Sequence, residues 1–260
     1  VKQGVEVRVM YDDMGSLNTL PASYTRQLEK KGIKAVSFNR ISPVINTIMN
    51  HRDHRKILVI DGKVAFSGGA NLADEYINEK VIHGHWMDNI ICVKGNAVWS
   101  YLVTFLTNWN ALRHEDEDYT VFKNKETIDE SNFDGYIAPY AETPLDEELT
   151  GQSEDILNSA NRYVYIMTPY LIIDSEMINT LIHTAKKGVD VRIIMPGIAD
   201  KQIVHDIGTS YYAQLIQGGV KIYEYEPGFV HSKVFVSDDV YATVGTINLD
   251  YRSLYLHFEN

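Results

Sequence analysis

Two stretches decide the reading of this chain, HRKILVIDGKVAFSGGAN at residues 54–71 and HSKVFVSDDVYATVGTIN at residues 231–248. Each carries a histidine, a lysine two residues later, an aspartate seven residues after the histidine and an asparagine seventeen after it. A lone histidine is ordinarily a hydrogen-bonded structural residue; two complete copies of one polar pattern at identical spacing point to chemistry instead. On a strand, residues i and i+2 share a face, so the spacing predicts an imidazole beside an ammonium twice over, His54 with Lys56 and His231 with Lys233.

The repeat extends beyond the motif. GVEVRV (4–9) matches GVDVRI (188–193), and QLEKKGIK (27–34) matches QLIQGGVK (214–221), in the same order as the histidine stretches. The offsets of 184, 187 and 177 residues differ by no more than loop insertions supply. RYVYIMTPYLI (162–172) reads as a strand, and DSEMINTLIHTAKKG (174–188) as a helix with an acidic start and a glycine stop. DNIICVKGNAVWSYLVTFLTNWNALR (88–113) reads as strand, turn and amphipathic helix. Strands alternating with helices predict α/β layers in two halves, residues 1–113 and 151–260, joined by a linker at 114–150 and packed as a pseudo-two-fold pair. Measured against its copy, the first half lacks a leading strand and helix and the second a closing strand and helix, so both ends are expected to be cut.

Composition bounds the function. An apolar share of 45% over 260 residues is ordinary for a packed core, and the single Cys92 excludes an internal disulfide and a cysteine metal cluster. No run of eighteen apolar residues and no basic-then-apolar leader is present, so the visible chain is expected neither to span a membrane nor to carry a signal peptide. A formal charge of -11 argues against broad nucleic-acid binding, which needs a basic surface. The acidic run RHEDEDYTVFKNKETIDE (113–130) reads as solvated linker.

Two histidines, two lysines and the asparagines Asn71 and Asn248 brought to one axis form a donor set for a phosphate. A neutral imidazole can attack phosphorus, while a protonated partner hands its proton to the leaving oxygen. The roles then exchange, and no metal is required. The odd offset of Asp61 and Asp238 turns them to the opposite face within the turn-like IDGK and SDD, which favours a structural role. His51, His83, His85 and His114 have no repeated partner and read as surface or loop residues. A zinc site from His51, Asp53 and His54 ranks low because the triplet has no counterpart in GFVHSK.

The motif H-x-K, four residues, D, with glycines and asparagine behind it, resembles the signature of the phospholipase D superfamily. Within it, NHRDHRKILVIDGKVAFSGGANLADEY, YAETPLDEE, TPYLIID, GVDVRIIMPGIADK, YEPGFVHSKVFVSDD and VGTINLDYRSLYLHFEN resemble the bacterial cardiolipin synthases over essentially the whole chain. The resemblance implies homologous halves, each a mixed β-sheet flanked by helices, and condensation of two phosphatidylglycerol molecules into cardiolipin and glycerol through a phosphatidyl-histidine. By it, His54 or His231 attacks, with His54 favoured. Lys56 and Lys233 hold phosphate oxygens, Asn71 and Asn248 add hydrogen bonds, and Asp61 and Asp238 complete the catalytic motif. Asp88 and Glu259 match the carboxylates that stand behind the histidines. No cofactor is implied, and the partners are phosphatidylglycerol and an anionic membrane, not nucleic acid. The chain would be the peripheral catalytic part of a protein anchored in the bacterial cell membrane, the anchor lying outside these residues. Arg252 and Ser253 would position a lipid head or hold a turn, and DYRSLYLHF (250–258) would line an acyl groove or the core. The alternatives are a phospholipase D-type hydrolase or nuclease of the same superfamily, or a non-catalytic lipid-binding protein.

Overall fold

The computed structural model describes residues 1–40, 50–126, 135–144 and 151–260, so parts of the expected linker lie outside the described residues. The first half runs β1 (Arg8–Asp12), α1 (Tyr24–Glu29), β2 (Lys34–Phe38), β3 (Arg52–Asp53), β4 (Ile57–Ile60), β5 (Val64–Gly68), β6 (His85–Met87), β7 (Ile90–Lys94) and α2 (Val98–Arg113). The second half runs α3 (Gly151–Ser159), β8 (Tyr163–Met167), β9 (Leu171–Ile172), α4 (Ser175–Lys186), β10 (Asp190–Pro196), α5 (Gln202–Ser210), α6 (Tyr212–Gln217) and β11 (Lys221–Tyr225). It then continues through β12 (Gly228–Val230), β13 (Val234–Ser237), β14 (Tyr241–Val244), β15 (Leu249–Asp250), α7 (Tyr251–Tyr255) and β16 (His257–Phe258).

The second half is built on a mixed five-stranded sheet in the order β11-β10-β8-β13-β14, parallel among the first three strands and antiparallel beyond β8. Alternation along β10 sends Val191, Ile193 and Met195 into the core, where Met177, Ile178 and Leu181 of α4 meet them. Each such side chain contributes roughly 1.5–3 kcal/mol by leaving water. Asp174 caps α4 by accepting from the Met177 N–H at 2.8 Å, and Gly188, at φ +94°, lies just past its end in a conformation that suits glycine. In the first half the parallel pair β1-β2, which mirrors β10-β11, and the antiparallel order β4-β5-β7 are separate sheets. The acidic run is partly packed: Glu117 holds Arg8 of β1, its Oε1 3.0 Å from the guanidinium.

Two short parallel pairs stitch the halves together. β3 pairs with β16 and β6 pairs with β12, so each pair takes one strand from each half, and the two pairs are related by the pseudo-two-fold. The H-x-K residues are not inside strands, contrary to the spacing argument: β4 begins at Ile57 and β13 at Val234, one residue past each lysine. Over the intervening three residues the chain changes partner, from the strand of the other half to the neighbouring strand of its own half, and no continuous ladder can form.

Candidate active site

The stitching strands deliver the histidines. The His54 N–H donates to the Phe258 carbonyl at 3.0 Å, and the His231 N–H to the Met87 carbonyl at 2.7 Å. The residue after each of those carbonyls is a carboxylate of the opposite half. His54 Nδ1 accordingly lies 2.8 Å from Glu259 Oε2, and His231 Nδ1 lies 2.8 Å from Asp88 Oδ2. A carboxylate only accepts, so each Nδ1 carries the proton and each Nε2 keeps its lone pair. Each half therefore orients the other half's imidazole, a crossing that the spacing of the motifs did not reveal.

The lysines converge on the same place. Each Nζ donates to the carbonyl of its own motif's histidine, Lys56 to His54 and Lys233 to His231. Lys233 is buried, and its ammonium acts electrostatically on His54 as Lys56 does on His231. Gly69 shows why a small residue stands behind the motif: a Cβ there would lie 2.1 Å from Asp88 Oδ1 and 2.9 Å from the His231 carbonyl. The asparagines differ. Asn248 is buried with its Oδ1 unpartnered among the described residues, whereas the exposed Asn71 donates to the Tyr76 hydroxyl at 2.6 Å.

The motif aspartates stand apart from this cluster, beyond the far ends of β4 and β13. Both occupy left-handed turn positions, Asp61 at φ 54° and Asp238 at φ 57°. Asp238 accepts the backbone N–H groups of Asn161, Arg162 and Tyr163 at 2.7–2.9 Å and so ties the β13–β14 turn to the start of β8. The structure thus places both aspartates in turns beyond the strands that follow the motif lysines.

Burial sets the charge states. Burial pushes the His231 imidazole down to about 3, with the Lys233 ammonium adding to the effect and Asp88 opposing it. The same cause lowers His54, and it brings Lys233 to about 7 and Lys56 to about 8. Burial alone would raise the carboxyls of Asp88 and Glu259, but the imidazoles and lysines beside them outweigh it and hold both below the usual carboxylate range. The site thus holds two carboxylates among partly discharged cations. An anion placed beside these groups would raise the imidazole and lysine pKa values by its own charge.

The two imidazoles have unlike surroundings. His231 sits in an aromatic collar, with ring centroids of Tyr76 at 5.2 Å, Trp86 at 5.3 Å and Phe229 at 6.0 Å. Beside His54, at the two-fold counterpart of Trp86, stands His257, its centroid 5.6 Å away. Setting HWMDN against LHFEN places Trp86 and His257 alike two residues before the carboxylate, so the signal was present in the sequence and missed.

A sequence profile for the family described as "Cardiolipin synthase, PLD-like domain" matches residues 1–104 and 154–260. The chain belongs to that family. It is 53% identical over 261 residues to an "Uncharacterized protein" of Streptococcus mutans, covering 100% of this chain and 56% of that protein. It is 36% identical over 264 residues to a cardiolipin synthase of Alkalihalophilus pseudofirmus, covering 99% and 52%, and 35% identical over 272 residues to cardiolipin synthase 1 of Staphylococcus aureus, covering 100% and 53%. The chain thus spans about half the length of these relatives. Among solved structures, the phosphatidylserine synthase of Haemophilus influenzae shares the fold, with a TM-score of 0.61 at 15% identity, over 97% of this chain and 68% of that one.

Asp53, of the zinc triplet, is engaged by Arg55 through two hydrogen bonds of 2.9 Å, and the His51 carbonyl accepts from Asn39. His85 Nδ1 meets the Tyr225 hydroxyl at 3.0 Å, and His114 closes α2 at φ 55°. The Ser253 N–H is taken by the Asp250 cap of α7, the turn on which Arg252 stands exposed. Tyr255 donates to Asp174, and Tyr251 is half exposed. Among the described residues no helix is long and apolar enough to cross a membrane.

Proposed function

We propose that this chain is the catalytic part of a phosphatidyltransferase that converts two phosphatidylglycerol molecules into cardiolipin and glycerol. The observation that carries the reading is the pair of crossed His–carboxylate contacts, His54–Glu259 and His231–Asp88, flanked by the buried Lys233 and the half-buried Lys56. One imidazole attacks phosphorus through Nε2, forming a P–N bond as the P–O bond to the glycerol head breaks. The other, protonated, gives that oxygen its proton, and glycerol leaves. The second phosphatidylglycerol then loses a hydroxyl proton to this now neutral imidazole, its oxygen attacks phosphorus, and the P–N bond breaks. Lys56 and Lys233 neutralise the equatorial oxygens throughout.

Two features favour a lipid over a nucleic acid. The formal charge of -11 opposes a polyanion, and Leu72, next to Asn71, is fully exposed, with Ile77 and Val81 exposed on the same loop. The aromatic collar around His231 limits water, which favours an alcohol as acceptor. The test supplies phosphatidylglycerol vesicles to the full-length protein, follows the lipid products and weighs the acid-quenched enzyme for a phosphatidyl group on His54 or His231. Cardiolipin with an N-linked adduct is expected. Phosphatidic acid without cardiolipin would overturn transfer in favour of hydrolysis.

A further inference from the structure

His257 is not used by the chemistry above, yet it faces it. Its Nδ1 is buried and faces Glu259 Oε1 at 3.4 Å, longer than the His54 contacts to the same carboxylate. The same carboxylate, wholly shielded from solvent, holds His54 Nδ1 with both oxygens, Oε2 at 2.8 Å and Oε1 at 3.0 Å. One donor atom from each of His54, His257 and Glu259 falls within a sphere where all lie within 4.8 Å of one another. A zinc-class ion bound at about 2.0–2.2 Å to each needs neighbouring ligand atoms about 3.3 Å apart, a spacing that side-chain adjustment can reach from a group already within 4.8 Å. The two-fold supplies an internal control. At the matching place beside His231 and Asp88 stands Trp86, whose indole offers no lone pair to a metal.

We propose that His54, His257 and Glu259 form a binding site for a divalent cation of the zinc class, and that its occupation reversibly switches the enzyme off. Two imidazoles and a carboxylate suit Zn²⁺ or Co²⁺ and leave a fourth position for water, and the His54 side chain is 23% exposed. The nearby ammonium groups of Lys56 and Lys233 oppose a cation, so the site binds loosely enough to be reversed. Inhibition follows from the tautomer. With the metal on Nδ1, neutral His54 carries its proton on Nε2, the atom that must attack phosphorus or exchange a proton. The inhibitory consequence rests on the proposed transfer reaction; the binding does not.

Cobalt titration of the full-length protein separates the two. Expected are the intense visible bands of low-coordinate Co²⁺, displaced by Zn²⁺ and removed by chelator, with affinity weakened at least about tenfold in both His257→Asn and His257→Gln. The ratio of turnover with zinc to turnover with chelator falls in the parent and stays near one in the variants. A hexaaqua cobalt spectrum in the parent, or unchanged bands in both variants, overturns the site. Bands that depend on His257 without a zinc effect on turnover overturn the switch. Protein that shows the bands but makes no cardiolipin refutes the transfer reading while leaving the site standing.

Discussion

His54 is oriented by Glu259, a residue 205 positions further along the chain, at 2.8 Å between Nδ1 and Oε2. The reciprocal contact, His231 with Asp88, spans 143 positions in the opposite sense at the same distance. The first test follows from this crossing. Glu259→Gln, nearly isosteric, should free the His54 tautomer and leave His231 unaffected, while Asp88→Asn does the reverse. Imidazole ¹⁵N shifts report the tautomers, and each variant should lose about 10²-fold or more in kcat. Shifts that follow the carboxylate of the same half would contradict the pairing.

Lys233 supplies a pH test. Its folded value of about 7 lies below the ordinary 10.5, so between those values the unfolded chain holds a proton that the folded one has released. Unfolding then takes up protons, and stability rises with pH over that window. The contribution is full above the unfolded value and is lost as pH falls through the folded one. Lys56, at about 8, adds to the rise above that value. Melting midpoints of the unliganded protein should climb from pH 7 toward 10, and Lys233→Met should lessen the climb, most completely between pH 7 and 8. A slope between pH 7 and 8 that the substitution leaves unchanged would assign it to other groups.

Trp86 packs on Tyr76, Phe229 and His231, the first two at ring-centroid distances of 4.6 and 4.8 Å. Trp86→Ala should cost about 3–5 kcal/mol of stability and open His231 to water. Under the proposed transfer, the product ratio should shift from cardiolipin toward phosphatidic acid, measured on the folded fraction. An unchanged ratio would remove the collar from the account of acceptor choice.

Asp238 tests the division of the motif. Asp238→Ala strips three backbone N–H groups of their acceptor and should lower the melting midpoint, while the folded enzyme keeps kcat within a few-fold. Asp61→Ala, at the matching turn, should do less to stability. A loss of kcat comparable with that of His231→Ala would return the aspartate to the chemistry.

Much of this was legible because the chain carries two copies of one pattern. The helix at Ser175–Lys186, the strand at Asp190–Pro196 and the turns at Asp61 and Asp238 each follow from local periodicity, a cap or a turn residue. The histidines and lysines could be picked out by identical spacing alone. What spacing does not encode is which half a carboxylate serves: Asp88 and Glu259 stand in equivalent places, and only the pairing of β6 with β12 and of β3 with β16 sends each across the seam. Placing His54 and Lys56 in a strand failed for the same reason, since the partner change at residues 54–56 is a tertiary event.

The interlaced strand pairs also impose an order in time. While the ribosome is still working toward residue 259, His54 is already made but has no carboxylate to steady it, and β3 has no partner. The His54 imidazole therefore gains its orienting carboxylate only once β16 has been made and closes over the first half.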